Sequence, residues 1–413
     1  MKSFEFRSAP KLSGWLWVPL AAMVAIPFPA FSWPLPERAL PICFLLLAGA
    51  GCIGLTLARA SWPFAALFAW MIVRAAMMQF PERALQLLLL ISMVGLLYVA
   101  ARELSASTVR LVAWAILIGA AWEFAFGVLN LFHVYPWMTY IQPGESGRPM
   151  GFLTHPNYWG SYMALVLPVV LSLVGVGPAL AIYAVIAKSY SGGPVISASV
   201  ALAVAVWPML GRRARYALIA VASAVTTAVM TVHEWRLSGR REVWQAIWPE
   251  LMRYPIIGQG LGSWRIWADH YNAKASTAAG KPVVFATLQA HNEPYQMWFE
   301  LGLIGVVLIG VWAWQAWAAT RQAWVAAPQG SAVVWWKPGA VPLERAWIAL
   351  LAAAVVNSFG SPTFHLPAQA ALTVFALARI QAAAVVEPPA ALPPSPVRRR
   401  KVAPRSLDHA TRG

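Results

Sequence analysis

Residues 290–305 read AHNEPYQMWFELGLIG, a polar opening that runs directly into an apolar helix. The same interruption begins at 233 with HEWRLSGRREVW and passes through YPIIGQGLGSW at 254–264. From His233 to Gly305 this is the one long polar break in a chain that otherwise reads as membrane, and its placement decides the fold. The 413 residues are 60% hydrophobic and 11% charged, against roughly 25% charged in a soluble domain. Apolar runs near the ~20 residues needed to cross a bilayer recur along the chain, and in lipid a run of that length satisfies its backbone as a helix. The expected fold is all-α: a polytopic transmembrane helical protein of about twelve spans, with one large extracytoplasmic loop between spans nine and ten. The spans fall near 14–31, 40–58, 62–79, 84–101, 110–131, 158–176, 178–189, 194–210, 214–232, 294–318, 343–359 and 366–385. This divides the chain into N-terminal transmembrane helices (1–232), the large loop (233–293), C-terminal transmembrane helices (294–385) and a Pro-rich, basic tail (386–413) that is expected to be disordered. Pro27, Pro168 and Pro208 fall inside spans, where kinks are tolerated.

The net charge of +16 is read as topology rather than as nucleic-acid binding. With the N-terminus in the cytoplasm, Arg59, Arg102, the cluster Arg212, Arg213 and Arg215, then Arg321, Lys337 and the tail arginines all fall in cytoplasmic segments. The short loops on the opposite side carry few charges, Arg38, Arg83, Arg148 and Lys188, the asymmetry expected of short loops; the large loop, basic as well, is long enough to escape that rule. Segments 132–157, 188–193, 233–293 and 359–366 then share the extracytoplasmic face. Cys43 and Cys52 lie in one apolar run, with neither a disulfide framework nor a metal-ligand spacing.

Within the large loop, Trp244, Ile247, Trp248 and Leu251 recur at i, i+3, i+4 and i+7, the pattern of an amphipathic helix suited to the membrane interface. Pro249 should kink or shorten it. Pro255, Gly258, Gly260 and Gly262 mark a turn-rich stretch; the glycine spacing follows no strand, so a dinucleotide fold is not supported. Asn292 and Pro294 form a helix start, which places His291 at the amino end of a transmembrane helix, where free N–H groups favour an anion. A histidine there is either a general base or an interfacial side chain that hydrogen-bonds the loop. Arg240 and Arg241 match phosphate oxygens or contact lipid headgroups. Arg148, His155 and Asn157 lie in GRPMGFLTHPNYWG at 147–160, a tight turn into the sixth span. Trp235, Trp264, Trp267 and Tyr271 either stack on sugars or anchor at the interface. Arg74 and Glu123, inside spans toward their outer halves, are a candidate ion pair.

The pattern H-N-x9-G-x2-G from His291 to Gly305 resembles the periplasmic-loop signature of the O-antigen ligase and polymerase superfamily of bacterial membrane glycosyltransferases. Upstream, the arginine and tryptophan of RREVW, the P-x-x-G-x-G of PIIGQG, and R-x-x-G-x-x-x-x-P-N from Arg148 to Asn157 are similar to that family's motifs. The likeness covers roughly 145–310. It implies transfer of a glycan from an undecaprenyl-diphosphate carrier to a glycan, lipid or protein acceptor at the periplasmic face of the inner membrane, without nucleotide sugar, cofactor or metal. By the same resemblance Arg240 binds the diphosphate, with Arg241 as its neighbouring substitute. His291 activates the acceptor or orients the donor, and Arg148 is a further phosphate or glycan contact. His155, Asn157 and Asn292 are candidate substrate contacts. One departure stands out: where many members carry a Ser-Arg pair opening the eighth span, KSYSGG has Gly192, with Lys188 as the nearby cation. The competing class is a solute transporter, which calls for polar groups at mid-membrane and inverted repeats; no repeat is visible, and the polar motifs collect at one face.

Overall fold

The computed structural model describes residues 62–77, 81–134, 147–153, 155–217, 240–265, 289–327 and 337–385, with isolated positions between 220 and 227 and between 267 and 277. The spans expected at 14–31 and 40–58, most of that at 214–232, and the tail from 386 lie outside the described residues. Among the described residues every element is helical: α1 (Trp62–Ala76), α2 (Pro81–Arg102), α3 (Ala106–Leu131), α4 (Pro156–Leu173), α5 (Val176–Lys188), α6 (Gly192–Val206), α7 (Arg240–Arg253), α8 (Glu293–Ala326), α9 (Leu343–Ser358) and α10 (Pro367–Val385). Helices α3 and α8, and α6 together with the 3-10 turn Trp207–Met209 that follows it, are long and apolar enough to cross a membrane. Pro208 sits in that turn, so it ends α6 instead of kinking it, whereas Pro168 is carried inside α4.

Helix α4 is the centre. Its residues from Trp159 to Ser172 are buried, and α3, α5, α6, α9 and α10 pack on it. The neighbours present small side chains: Ala198, Ala201 and Ala205 on α6, Ala349, Ala353 and Ala354 on α9. Small residues let helix backbones approach closely where apolar burial alone gives no drive for association. Helix α8 packs on α1 and α10, and α10 on α2.

Two sets of inter-helix segments gather at opposite ends of α4. At one end Gly339 N donates to Ser172 O at 2.7 Å and Ser172 Oγ to Val341 O at 2.8 Å. At the other lie 147–158, 189–191, 255–262, 289–293 and 359–366. The described parts of the segments expected to share one face thus lie at one end, and they are joined by side-chain bonds that the sequence did not announce.

Helix α8 is broken. Gly302 has φ 68 and ψ −173, non-helical inside an otherwise continuous helix. A break frees backbone groups that lipid cannot satisfy, and the stretch PIIGQG fills it. Leu303 N donates to Pro255 O at 2.9 Å and Ile304 N to Ile256 O at 3.2 Å, while Gln259 N and Gly260 N donate back to Phe299 O at 2.7 Å and Glu300 O at 2.9 Å. A β-carbon on Gly258 would lie 2.5 Å from Gly302 N, and one on Gly302 would lie 2.2 Å from Ile256 O. The two glycine motifs, forty-four positions apart, are therefore one feature: a loop inserted into a kinked helix.

Helix α7 departs from its expected role. It continues past Pro249 to Arg253, and its buried face is Val243, Ile247 and Leu251, packed on Trp264, Ala290 and Phe299. Trp248 is exposed instead, with its ring edge-on to Trp298. The apolar stripe is turned from the expected one because α7 docks on the amino end of α8. Ile247→Ala should cost about 2–5 kcal/mol at this fully buried position and raise cleavage within 240–265 under limited proteolysis of the purified chain.

Candidate functional site

His291 is set at the amino end of α8 as the motif predicts. Asn292 is extended and its Oδ1 accepts from Tyr295 N at 3.0 Å, so Asn292 serves as the helix cap and not as a free contact. His291 has φ 52, a left-handed backbone uncommon outside glycine, though histidine and asparagine are enriched in it. The preceding residue is gripped on both of its backbone polar groups. Ala290 N donates to Gln296 Oε1 at 2.9 Å, and Ala290 O accepts from Trp244 Nε1 at 2.9 Å. Tyr295 Oη donates to Trp244 O at 2.9 Å, which ties α7 to α8 at that point.

Across from His291 is the turn into α4. Its ring stacks on Tyr158 with centroids 6.3 Å apart and planes 21° apart, and His155 meets the same tyrosine at 4.7 Å. His155 caps α4: its Nδ1 accepts from Asn157 N at 3.1 Å. That bond commits the ring nitrogen and holds Asn157 at the first turn. The structure thus brings His155, Asn157 and His291 around Tyr158. Arg148 is directed elsewhere, donating through Nε to Ser189 O at 2.9 Å and through Nη2 to Ser191 Oγ at 3.2 Å. Its guanidinium therefore sits beside the segment that carries Gly192 in place of arginine. Lys188 is exposed at the last turn of α5, so the cation reaching the 189–191 turn is Arg148 rather than Lys188. Arg240 and Arg241 open α7; their side chains lie outside the described residues.

Two expectations need correction. Arg74 and Glu123 do not pair. Arg74 Nη2 donates to Gly258 O at 2.9 Å, anchoring the inserted loop, and Glu123 Oε2 accepts from Phe152 N at 3.2 Å. Glu123, with Asn130 Oδ1 accepting from Met150 N and Gly151 N at 2.9 and 2.8 Å, holds the backbone of the 148–152 turn. Gly151 is required there, because a β-carbon would lie 2.0 Å from Glu123 Oε2. Trp264 neither stacks on sugar nor anchors at an interface: it is fully buried, edge-on to Phe299 and Tyr295. Trp267 is exposed; Trp235 and Tyr271 lie outside the described residues.

Behind His291 is a buried polar cluster that sequence reading missed. Glu293 Oε1 accepts from Phe364 N at 2.7 Å, and Glu293 Oε2 pairs with His365 Nδ1 at 2.9 Å. Gln296 Nε2 lies 2.8 Å from Gln289 Oε1, 2.9 Å from Glu300 Oε1 and 3.0 Å from His365 Nε2. Glu300 Oε2 accepts from Gly262 N at 2.8 Å. Glu293, Gln296 and Glu300 stand at i, i+3 and i+7, one face of α8. That spacing, in a helix otherwise apolar, was the available signal. A carboxylate inside a span marks a site by default.

Burial opposes charging His365, but the adjoining Glu293, as ion-pair and hydrogen-bond partner, and then Glu300 outweigh it and push the imidazole up to about 9 from 6.5. A group raised on folding stabilises fully below its unfolded value and loses that contribution as pH rises through its folded value. The pair should therefore stabilise the fold below pH 6.5 and cease to do so above about 9. Glu293→Gln should be less thermostable than the native chain near pH 6, with the gap closing toward pH 10 in thermal denaturation. A gap that widens with pH would contradict the assignment.

Glu293 and His365 also border an apolar cavity of about 270 Å³, walled by Leu67, Met71, Leu90, Met297 and Val374 among others. No protein-family model matches the chain, and no curated protein matches it.

Proposed function

We propose that the chain is a membrane glycosyltransferase of the inner membrane of a bacterium. It moves a glycan from an undecaprenyl-diphosphate carrier to an acceptor hydroxyl at the periplasmic end of the bundle, in surface-polysaccharide synthesis. The observation that carries this reading is His291. It stands at a helix amino end, on a left-handed backbone clamped through Ala290 by Gln296 and Trp244, facing the turn whose motif also belongs to the resemblance. A strained, over-determined backbone at a helix mouth is where fixed chemistry is placed.

In the reaction the acceptor oxygen bonds to the anomeric carbon as that carbon's bond to the diphosphate oxygen breaks. The acceptor proton passes to His291, and the diphosphate leaves on its lipid. Arg240, at the start of α7, holds the departing charge, a role arginine fills bidentately. Helix α7 is bound to the His291 peptide through Trp244, so the diphosphate contact and the base belong to one assembly.

The test is reconstitution of the purified chain with polyprenyl-diphosphate-linked glycan and candidate acceptors. Free polyprenyl diphosphate should appear with the glycan on the acceptor, and Arg240→Ala should reduce turnover by about 10²-fold or more at unchanged protein level. Glycan lengthening on the carrier identifies a polymerase; glycan on lipid or protein identifies a ligase. Turnover of Arg240→Ala at the native rate would overturn the arginine's role.

A further inference from the structure

Resting on the reading of His291 as the reactive base, we propose that Gln296 is a positioning residue whose amide couples the charge on His365 to the backbone that presents His291. The geometry allows the Gln296 amide one orientation while His365 is neutral. Ala290 N is a donor and takes Oε1. The amide nitrogen then faces Glu300 Oε1, Gln289 Oε1 and His365 Nε2. This suits a His365 that has its proton on Nδ1, given to Glu293, and a lone pair on Nε2. A second proton on His365 sets N–H against N–H across 3.0 Å. Turning the amide oxygen to His365 relieves that contact, but it takes the acceptor from Ala290 N–H and the donor from Glu300 Oε1 and Gln289 Oε1. A buried donor left without a partner costs about 1–3 kcal/mol, so residue 290 keeps only its Trp244 bond and the backbone entering His291 loosens.

The charged and titratable groups facing His365 among the described residues are Glu293 and Glu300, both on α8. Helices α1, α2 and α10 present apolar side chains to the cavity beside it, and α9 presents Ser358. The switch therefore answers to His365 and these two carboxylates. Gln296 does not touch the reacting atoms; it acts through residue 290.

Amide hydrogen exchange on the full chain in nanodiscs, read by mass spectrometry between pH 5 and 10 and corrected for intrinsic rates, tests this without any glycan. Protection of the Ala290 amide should be high at the alkaline end, where His365 is neutral, and fall tenfold or more toward neutral pH as His365 gains its second proton. His365→Asn keeps a donor toward Glu293 and does not titrate in this range, so protection should stay high and flat. Gln296→Leu should lower protection tenfold at every pH. Gln296→Glu, which accepts from both Ala290 N and a protonated His365, should abolish or invert the step. It also serves as the folded control should the leucine variant disrupt packing. A flat native profile, a step that survives in His365→Asn, or native protection in Gln296→Leu would overturn the proposal. Because exchange needs no substrate, a titrating clamp in a chain that transfers no glycan would sink the functional reading alone.

Discussion

Gly302→Ala is expected to leave little folded protein in the membrane, whereas Gly310→Ala, eight residues along the same helix, should be close to neutral. At Gly302 the backbone lies at φ 68 and ψ −173, a region open in practice only to glycine and costing other residues about 1–3 kcal/mol. The added carbon would also stand 2.2 Å from Ile256 O and 2.5 Å from Gly258 N. Neither atom can yield alone, because both belong to the loop whose four backbone bonds to α8 fill the break. Displacing the loop forfeits those bonds, each worth about 0.5–1.5 kcal/mol net, and leaves the freed groups facing apolar surroundings. The loss is therefore comparable to the whole reserve of a marginally stable fold. Around Gly310 nothing lies within 4 Å of an added carbon, and alanine there gains helix propensity of roughly 1 kcal/mol. Gly258→Ala, at φ 74, should reproduce the Gly302 phenotype. Immunoblots of membrane fractions and thermal unfolding of the purified chain decide the matter: equal levels and melting temperatures for Gly302→Ala and Gly310→Ala would contradict the inserted-loop account.

That break also marks where sequence reading reached its limit. Among the described residues, helix positions were legible because apolar run length is a property of each segment alone. The start of α8 was legible because Asn292 and Pro294 carry their meaning locally. Which groups meet across the bundle was not. Glu293 and His365 are 72 positions apart, and no periodicity links them. Arg74 and Glu123 looked like partners on cost alone, since each buried charge needs compensation. Each instead bonds to backbone, Arg74 Nη2 to a carbonyl of the inserted loop and Glu123 Oε2 to an amide of the Arg148 turn. Helix α7 was found but turned, because its pattern fits a stripe through Trp244 and Trp248 nearly as well as one through Val243, Ile247 and Leu251. Tertiary docking chose the second. The glycines of PIIGQG and ELGLIG read as separate turn signals until the fold placed Gly258 against Gly302.

His291→Asn should lower glycan transfer by about 10²–10⁴-fold, the usual contribution of a positioned general base, while protein level and melting temperature stay near native values. Asparagine separates chemistry from folding here. It tolerates the left-handed backbone that residue 291 adopts, being several-fold enriched at such positions, so the entry into α8 keeps its geometry. The cap by Asn292 and both clamps on Ala290 involve no atom of the residue 291 side chain. What the substitution removes is the imidazole facing Tyr158. Asn292→Ala is the converse: it deletes the cap, at a cost of about 0.5–2 kcal/mol in stability, and should reduce transfer only in proportion to lost protein. His155→Ala offers a third comparison. Its ring also meets Tyr158, but its Nδ1 is committed to the α4 cap, so it should behave as Asn292→Ala does. Assayed at equal amounts of folded protein, turnover falling only in His291→Asn places the proton transfer at His291. Native turnover in that variant would remove His291 from the chemistry and leave its strained backbone as a consequence of the helix cap alone.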